Sequence, residues 1–408
     1  MGGGPRHACG HGPQHARRGG VKAPSSPATR LIHARPDSSG STRVETVGPA
    51  IQKGSTVLIS RAADVYDESR PTYGRMGLAT HDALSAALCE LEGANYVSLY
   101  PSGLAAMTAA LTAVLKSGDD ILVTDAIYKP TRRYCDEVLT RFGVSVRYHA
   151  PDLDAAGVLA LAGPATRLIV LESPGSLTLE MQDAPGVARL ARKRGILTLI
   201  DNTWAAGALF RPLAHGVDIS VQSLTKYACG HSDILMGSAA TARPDLAKAL
   251  ENGVRDFGWA TTAEDAYGVL RGLRTLHARL TRQGENGLKI ASWLQRHPKI
   301  ARVLHPALPA DPGHAIWRRD YSGAAGLFAV ELTPCPSAAV DAFLDRLEIF
   351  GLGFSWGGFE SLALPCDPQL KSRRLSDARK GPLIRLSIGL EDPDDLIADL
   401  DAALGVIP

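Results

Sequence analysis

Short apolar segments alternate with helical patterns between about residues 75 and 271, and this alternation limits the fold more than any other feature. The predicted strands are residues 95–99, 121–124, 144–148, 168–171, 196–201 and 217–221. The predicted helices are residues 82–91, 103–115, 131–141 and 187–193. Such alternation is typical of a mostly parallel sheet with helices on both faces. Short, right-handed connections then predict an α/β fold, a three-layer α/β/α sandwich.

The pattern changes beyond Arg271, where one long helical pattern continues to Leu294. Further strand candidates are residues 326–332 and 383–388, and further helix candidates are residues 338–347 and 393–404. This mixture predicts a smaller C-terminal α+β domain. The chain is therefore predicted to comprise a disordered tail, an arm with a strand-like run at 55–60, a sheet domain and a C-terminal domain, with bounds 1–28, 29–75, 76–272 and 273–408.

Composition narrows the possible environments and partners. The chain has 408 residues, of which 45% are hydrophobic and 21% charged, as in soluble globular proteins of two or three domains. A formal net charge of +2 and scattered Lys and Arg give no reason to expect nucleic acid as a partner. No apolar run is long enough to cross a bilayer, and the N-terminus lacks the apolar core of a secretory signal. We therefore expect a cytoplasmic protein with no membrane partner.

The six cysteines are widely spaced and form no CxxC pair, which fits a reducing compartment. Cys9 lies near His7 and His11 in the predicted tail. A flexible segment of this composition is more often disordered than metal-bound, so no metal site is predicted.

Two of the predicted strands are followed by residues with complementary chemistry. Asp201 closes one strand, and Ser223, Thr225 and Lys226 follow the other. Pyridoxal phosphate (PLP) uses such a set: a lysine amine for a Schiff base, a carboxylate for the pyridine nitrogen and hydroxyls for the phosphate. Taken singly, Asp201 could cap a helix and Lys226 could be solvated. Ligands of α/β sheets bind outside the carboxyl ends of the strands, which favours the functional interpretation.

Two further segments of the sheet domain are candidates for the same site. Gly103 and Leu104 follow Ser102 at the start of a predicted helix, where free backbone N–H groups can hold a phosphate. Alone, this turn is explained equally well by Ser102 capping the helix. Tyr128 follows a strand and could stack on a planar cofactor, or could be an exposed turn residue.

Two segments of the C-terminal domain could contribute. Arg385 interrupts an apolar run, and a buried arginine needs an anionic partner, either a substrate carboxylate or an internal carboxylate. Ser355 and Trp356 begin a glycine-flanked aromatic turn that could line a pocket or lie at the surface.

Several segments together resemble the Cys/Met-metabolism family of PLP-dependent enzymes, and within it the β-lyase branch. The resemblance extends from about Thr29 to the C-terminus. It rests on residues 80–93, 201–207, 223–227, 230–233, 271–276, 355–362, 385 and 388–391. The Asp-Asn-Thr-Trp and Ser-Trp-Gly-Gly-aromatic-Glu-Ser-Leu segments are those that point to β-lyases.

The resemblance implies fold-type I PLP architecture and a homotetramer, a dimer of dimers with shared active sites. It implies that Lys226 and Tyr128 are catalytic and that Arg385, Ser355 and Trp356 bind the substrate carboxylate. The residues it assigns to PLP are Lys226, Asp201, Ser223, Thr225, Gly103, Leu104, Tyr128 and, from the neighbouring subunit, Tyr73 and Arg75.

The implied reaction is carbon–sulfur β-elimination from an amino-acid thioether, with cystathionine giving homocysteine, pyruvate and ammonia. Two departures bear on recognition of the substrate's distal end. Met76 stands where some family members have a second arginine, and the segment after Tyr128 is basic, with Lys129, Arg132 and Arg133. Cysteine desulfhydrase or cysteine-S-conjugate β-lyase activity therefore remains an alternative. A γ-lyase or γ-synthase of the same fold is a further alternative, and a non-catalytic metabolite-binding protein is disfavoured because Lys226, Asp201, Tyr128 and Arg385 are all present.

Overall fold

Two β-sheets organise the chain in the computed structural model, which describes residues 26–33, 46–67, 69–375 and 379–408. Within these residues the strands are β1 Tyr96–Tyr100, β2 Asp120–Thr124, β3 Ser145–His149, β4 Thr166–Glu172, β5 Leu197–Asp201, β6 Ile219–Ser223, β7 Gly237–Thr241, β8 Ile300–Leu304, β9 Leu327–Leu332, β10 Gly351–Leu352, β11 Leu362–Pro365 and β12 Leu383–Ser387. The α-helices are α1 Pro27–His33, α2 Ala79–Glu92, α3 Gly103–Val114, α4 Lys129–Tyr134, α5 Ala155–Ala160, α6 Ala184–Lys193, α7 Pro244–Phe257, α8 Ala263–Leu273, α9 Leu276–Leu294, α10 His314–Asp320, α11 Ser337–Asp345, α12 Asp367–Leu370 and α13 Pro393–Leu404.

The larger sheet has the strand order β1-β7-β6-β5-β4-β2-β3. Only β7 runs antiparallel to its neighbours, β1 and β6, so the prediction of a mostly parallel sheet is confirmed. Apolar side chains of β4 alternate between two hydrophobic cores: Ile169 and Leu171 belong to one, and Leu168 and Val170 to the other. Helices cover both faces, which confirms the three-layer α/β/α sandwich.

The smaller sheet has the order β10-β11-β12-β9-β8 and is mainly antiparallel. One face of it packs against α9, α11 and α13 through a third core that includes Phe328, Ile384 and Leu400. The predicted α+β character of the C-terminal part is confirmed. Arg385 lies on β12, between two apolar residues of that strand.

Two predictions from local pattern were wrong. The helical pattern beyond Arg271 is broken at Arg274 and Thr275, between α8 and α9. Leucines on both sides of this short break enter the same core, so the spacing of apolar residues conceals it. The strand-like run at 55–60 forms only an isolated bridge, Thr56 to Tyr73, and leaves Leu58 93% exposed.

The N-terminal predictions are tested only in part. Helix α1 begins at Pro27, inside the predicted tail. His7, Cys9 and His11 lie outside the described residues. Within the described ranges, no helix has the length and apolar character needed to span a bilayer.

Candidate active site

Three adjacent parallel strands of the larger sheet end in polar residues at the same edge. Glu172 ends β4, Asp201 ends β5 and Ser223 ends β6. Thr203 connects the last two: its hydroxyl donates to Asp201 Oδ1 at 2.5 Å and accepts from the Ser223 N–H at 2.9 Å. The strand ends recognised in the sequence, Asp201 and Ser223, are therefore linked through one hydroxyl, and Glu172 ends the neighbouring strand at the same edge.

Lys226 lies in the turn that follows β6 and reaches the turn at residues 355–356. Its Nζ donates to Ser355 Oγ at 2.9 Å and lies 5.5 Å from the centre of the Trp356 ring. Burial, reinforced by the nearby Arg385 cation and opposed by Asp201, lowers the pKa of Lys226 to about 8. The lowered pKa makes the neutral, nucleophilic form of this amine more accessible near neutral pH than that of an ordinary lysine.

Asp201 is enclosed by the site rather than exposed at a helix start. Burial raises the pKa of its carboxyl, and the hydrogen bonds from the Thr203 hydroxyl and N–H, together with the charge of Lys226, act in the opposite direction. Burial disfavours the ionised form of this carboxyl group, and a cationic ring nitrogen placed against it would offset that unfavourable free energy.

The N-terminus of α3 lies against the end of β6. Ser102 caps this helix by accepting the Ala105 N–H at 3.1 Å, so the capping interpretation is confirmed. Helix geometry leaves the N–H groups of Gly103 and Leu104 without intrahelical partners. A Cβ built on Gly103 would lie 2.4 Å from Ser223 Cβ, so only glycine lets the helix approach this closely. The result is a cradle suited to an anion.

Thr225 follows Ser223 by two residues and is held by Met236. Its hydroxyl accepts the Met236 N–H at 3.0 Å and lies 3.2 Å from the Met236 carbonyl, to which it donates. The hydroxyl proton can turn to a better acceptor while the bond from Met236 N–H holds the side chain in place.

Tyr128 stands at the N-terminus of α4 with 44% of its surface exposed. Its backbone N–H donates to Glu172 Oε2 at 2.7 Å. Burial, then the charges of Glu172 and Asp201, raise the pKa of its phenol, while Arg385 lowers it. Charged residues at β4, β5 and β12 thus act on the pKa of one phenol.

Arg385 extends from the smaller sheet toward Lys226. Its Nη2 donates to the backbone carbonyls of Gly353, Phe354 and Ser355 at 2.8–3.1 Å. Its buried Nε has no hydrogen-bond partner among the described residues, and burial lowers the pKa of the guanidinium. Within the part of the chain that the structure describes, Arg385 makes no ion pair, so the internal salt bridge is not observed. A carboxylate ligand would satisfy the open donor.

The turn that begins with Ser355 and Trp356 belongs to this site. Trp356 packs edge-to-face on Tyr227 with ring centres 5.4 Å apart. Gly357, with φ +79°, lies so close to the Tyr227 backbone that a Cβ would be 3.0 Å from its nitrogen. This close packing fixes the turn beside Lys226.

Tyr73 and Arg75 lie apart from these residues. Arg75 Nη1 donates to the carbonyl of Arg255 on α7 at 3.3 Å, and its guanidinium lies 5.7 Å from the Tyr73 ring. Their predicted contact with a neighbouring subunit's phosphate stays a prediction.

The three basic residues after Tyr128 have different environments. Arg132 is buried and donates to Asp125 Oδ1 at 2.6 Å, and Arg133 pairs with Glu137 at 3.0 Å. Lys129 is exposed. Arg132 therefore stabilises the fold, and only Lys129 and Arg133 face solvent.

Two residues that belong to the site were missed in the sequence. Thr203 is part of the Asp-Asn-Thr-Trp segment, and Glu172 directly follows the predicted strand 168–171. The strand-end argument used for Asp201 also applies to Glu172.

The model of the family described as Cys/Met metabolism PLP-dependent enzyme matches residues 28–405. The chain belongs to this family. Its members depend on PLP, and the residues present fit that cofactor: an amine of lowered pKa, a buried carboxylate, and a glycine cradle with hydroxyls for the phosphate.

Relatives within the family are named for different reactions. The chain is 42% identical to the cystathionine β-lyase of Bordetella avium, over 86% of this chain and 90% of the relative. It is 39% identical to the L-alanine/L-glutamate racemase of Wolbachia pipientis wMel, over 89% and 93%. Among solved structures, MetB from Corynebacterium glutamicum superposes with a TM-score of 0.86 at 31% identity, covering 93% of this chain and 98% of that one.

Proposed function

We propose that this protein is a PLP-dependent carbon–sulfur β-lyase that cleaves cystathionine to homocysteine, pyruvate and ammonia. The observation that carries this proposal is that Lys226 and Asp201, at the carboxyl edge of the larger sheet, lie close to Arg385 of the smaller sheet, with Ser355 hydrogen-bonded to both Lys226 and Arg385. Similarity to a named cystathionine β-lyase supports the choice of reaction.

The proposed cofactor contacts follow from the donors at the sheet edge. Lys226 is the residue that bonds PLP, Asp201 pairs with its ring nitrogen, and Tyr128 stacks on the ring. The proposed phosphate ligands are Ser223, Thr225, and the N–H groups of Gly103 and Leu104. Bound PLP supplies an electron sink that acidifies the substrate Cα–H and weakens the bond from Cβ to sulfur.

The chain's own residues then bind the substrate and move one proton. The guanidinium of Arg385 holds the substrate α-carboxylate, with Ser355 and Trp356 beside it. The Lys226 amine, once released from the cofactor, takes the Cα proton and delivers it to the departing sulfur. Its lowered pKa suits both acceptance and donation near neutral pH.

We further propose a homotetramer, a dimer of dimers in which Tyr73 and Arg75 reach the phosphate of the neighbouring subunit, acting in the cytoplasm. In this proposal residues 29–75 are the arm, 76–272 the PLP domain and 273–408 the C-terminal domain. The exposure of Arg75 at the surface of this subunit supports the shared site.

Product analysis with cystathionine tests the reaction. We expect pyruvate and homocysteine in equal amounts from the purified holoenzyme, and at least about 10²-fold less of both from Lys226→Ala. Formation of 2-oxobutyrate and cysteine would establish a γ-lyase instead. Release of D-alanine from L-alanine without any keto acid would establish a racemase, and the proposed function would be rejected.

A further inference from the structure

Glu172 and Asp201 are partners in the parallel register of β4 and β5. Registered residues on adjacent strands point to the same face, with the strands about 4.8 Å apart. The carboxylate proposed for the cofactor nitrogen therefore has a second carboxyl group as its direct neighbour.

Glu172 also holds the backbone of Tyr128, the residue that precedes α4. Its Oε2 accepts the Tyr128 backbone N–H at 2.7 Å. The end of β4 is itself held, because Gln182 Nε2 donates to the Glu172 carbonyl at 2.7 Å and to Thr124 Oγ1 at 2.9 Å. One side chain thus connects the residue proposed to stack on the ring with the residue proposed to bind the nitrogen.

The charges around this carboxyl group favour its neutral form. Burial and the charge of Asp201 raise the pKa of Glu172 well above its usual range, and Glu180 acts in the same direction. The Tyr128 N–H and Arg373 oppose the shift. Arg373 is shared, because it also pairs with Glu180 at 3.2 Å and with Asp125 at 3.5 Å.

The other member of the pair has a different environment. Asp201 accepts two hydrogen bonds from Thr203, and Lys226 lies close enough to favour its ionised form. Two adjacent carboxyl groups titrate as a coupled pair, and the first proton goes to the group with less stabilisation of its charge. Here that group is Glu172.

We propose that Glu172 is a positioning residue of the PLP site: it holds the Tyr128 backbone and carries the proton of the pair, so that the negative charge stays on Asp201. The inference rests on the family's cofactor and not on the proposed β-lyase reaction. A failed cystathionine assay would therefore leave it intact.

Two substitutions distinguish the two proposed roles of Glu172, carrying a proton and holding the Tyr128 backbone. Glu172→Gln keeps an acceptor oxygen for the Tyr128 N–H and imitates the neutral acid. We expect its holoenzyme to show an unchanged pH titration of PLP absorbance and unchanged PLP retention. Glu172→Ala removes the acceptor, and we expect PLP to dissociate about tenfold more readily, the effect of one lost hydrogen bond. Glu137→Gln, an exposed carboxylate, is the control.

The measurements are the absorbance spectrum of bound PLP across pH, PLP retained after dilution, and the circular dichroism of each variant. If Glu172→Gln moves the spectral titration midpoint by about one unit, Glu172 is ionised and the proposal is overturned. The proposal also fails if a folded Glu172→Ala variant retains PLP like the wild type. If Glu172→Ala does not fold, the Glu172→Gln titration alone decides.

Discussion

Gly103 at the start of α3 lies in van der Waals contact with Ser223 at the end of β6, with no room for a side chain between them. We predict that Gly103→Ala forces α3 away from β6 and weakens PLP binding. Inserting a methyl group into such packing costs about 1–3 kcal/mol. PLP dissociation and the thermal midpoint measure the effect.

Gly163→Ala provides the matched control for this substitution, since a Cβ at Gly163 meets no atom of the described residues within 4 Å. A Gly103→Ala protein that binds PLP as tightly as the control would show that the close approach is unimportant.

Lys226→Ala is predicted to fold normally and to lose lyase activity by at least about 10²–10⁴-fold. The reason is that this variant lacks both the amine that bonds PLP and the group proposed to move the proton. Keto-acid formation and circular dichroism are the measurements, with the exposed Lys193→Ala as control. Turnover equal to that of the control would reject Lys226 as the catalytic residue.

Arg385→Lys is predicted to raise KM for the amino-acid substrate by about tenfold or more. A lysine cannot reproduce the planar guanidinium that can both hold the 353–355 carbonyls and bind a carboxylate. Steady-state kinetics supply KM, and the unchanged spectrum of bound PLP serves as an internal control. An unaltered KM would place the substrate carboxylate elsewhere.

Mixing subunits tests the predicted shared site. Arg75→Ala and Lys226→Ala are each predicted to be impaired alone, the first by weaker phosphate binding. After subunit exchange, a mixed dimer contains one site with both lesions and one with neither, so activity should rise above the sum of the two proteins. A strictly additive result would show that Arg75 serves no neighbouring site.

Glu92, at the end of α2, is 1% exposed and accepts hydrogen bonds from Gln222 and, at 3.0 Å, from Ser220. Burial raises its pKa from 4.5 to about 7, against the effects of Gln222, Ser220 and Arg211. The folded state therefore binds this proton more tightly than the unfolded chain.

The stability from Glu92 is fully present below pH 4.5 and is lost as pH rises to about 7, at a cost of roughly 3 kcal/mol. Glu92→Gln is predicted to remove this part of the pH dependence. Thermal midpoints of both proteins across this range, at fixed protein and PLP concentrations, give the comparison. Parallel curves for the two proteins would contradict the assignment.

Local patterns were sufficient to predict most of the larger sheet. Buried parallel strands form continuous apolar runs, and the helices between them repeat their apolar residues every three or four positions. Both signals are contained in about ten neighbouring residues. For the same reason Asp201, Ser223 and Lys226 could be assigned to one edge, since adjacent parallel strands end together.

The sequence by itself thus determined the sandwich and the residue types at its carboxyl edge. Only the tertiary structure decided that Ser355 contacts Lys226, because the hydrogen bond between them spans 129 residues. It also decided that Glu172 binds the backbone of Tyr128, 44 residues away. These contacts depend on how the two sheets and their loops pack, and packing between distant segments leaves no periodic signal in the chain.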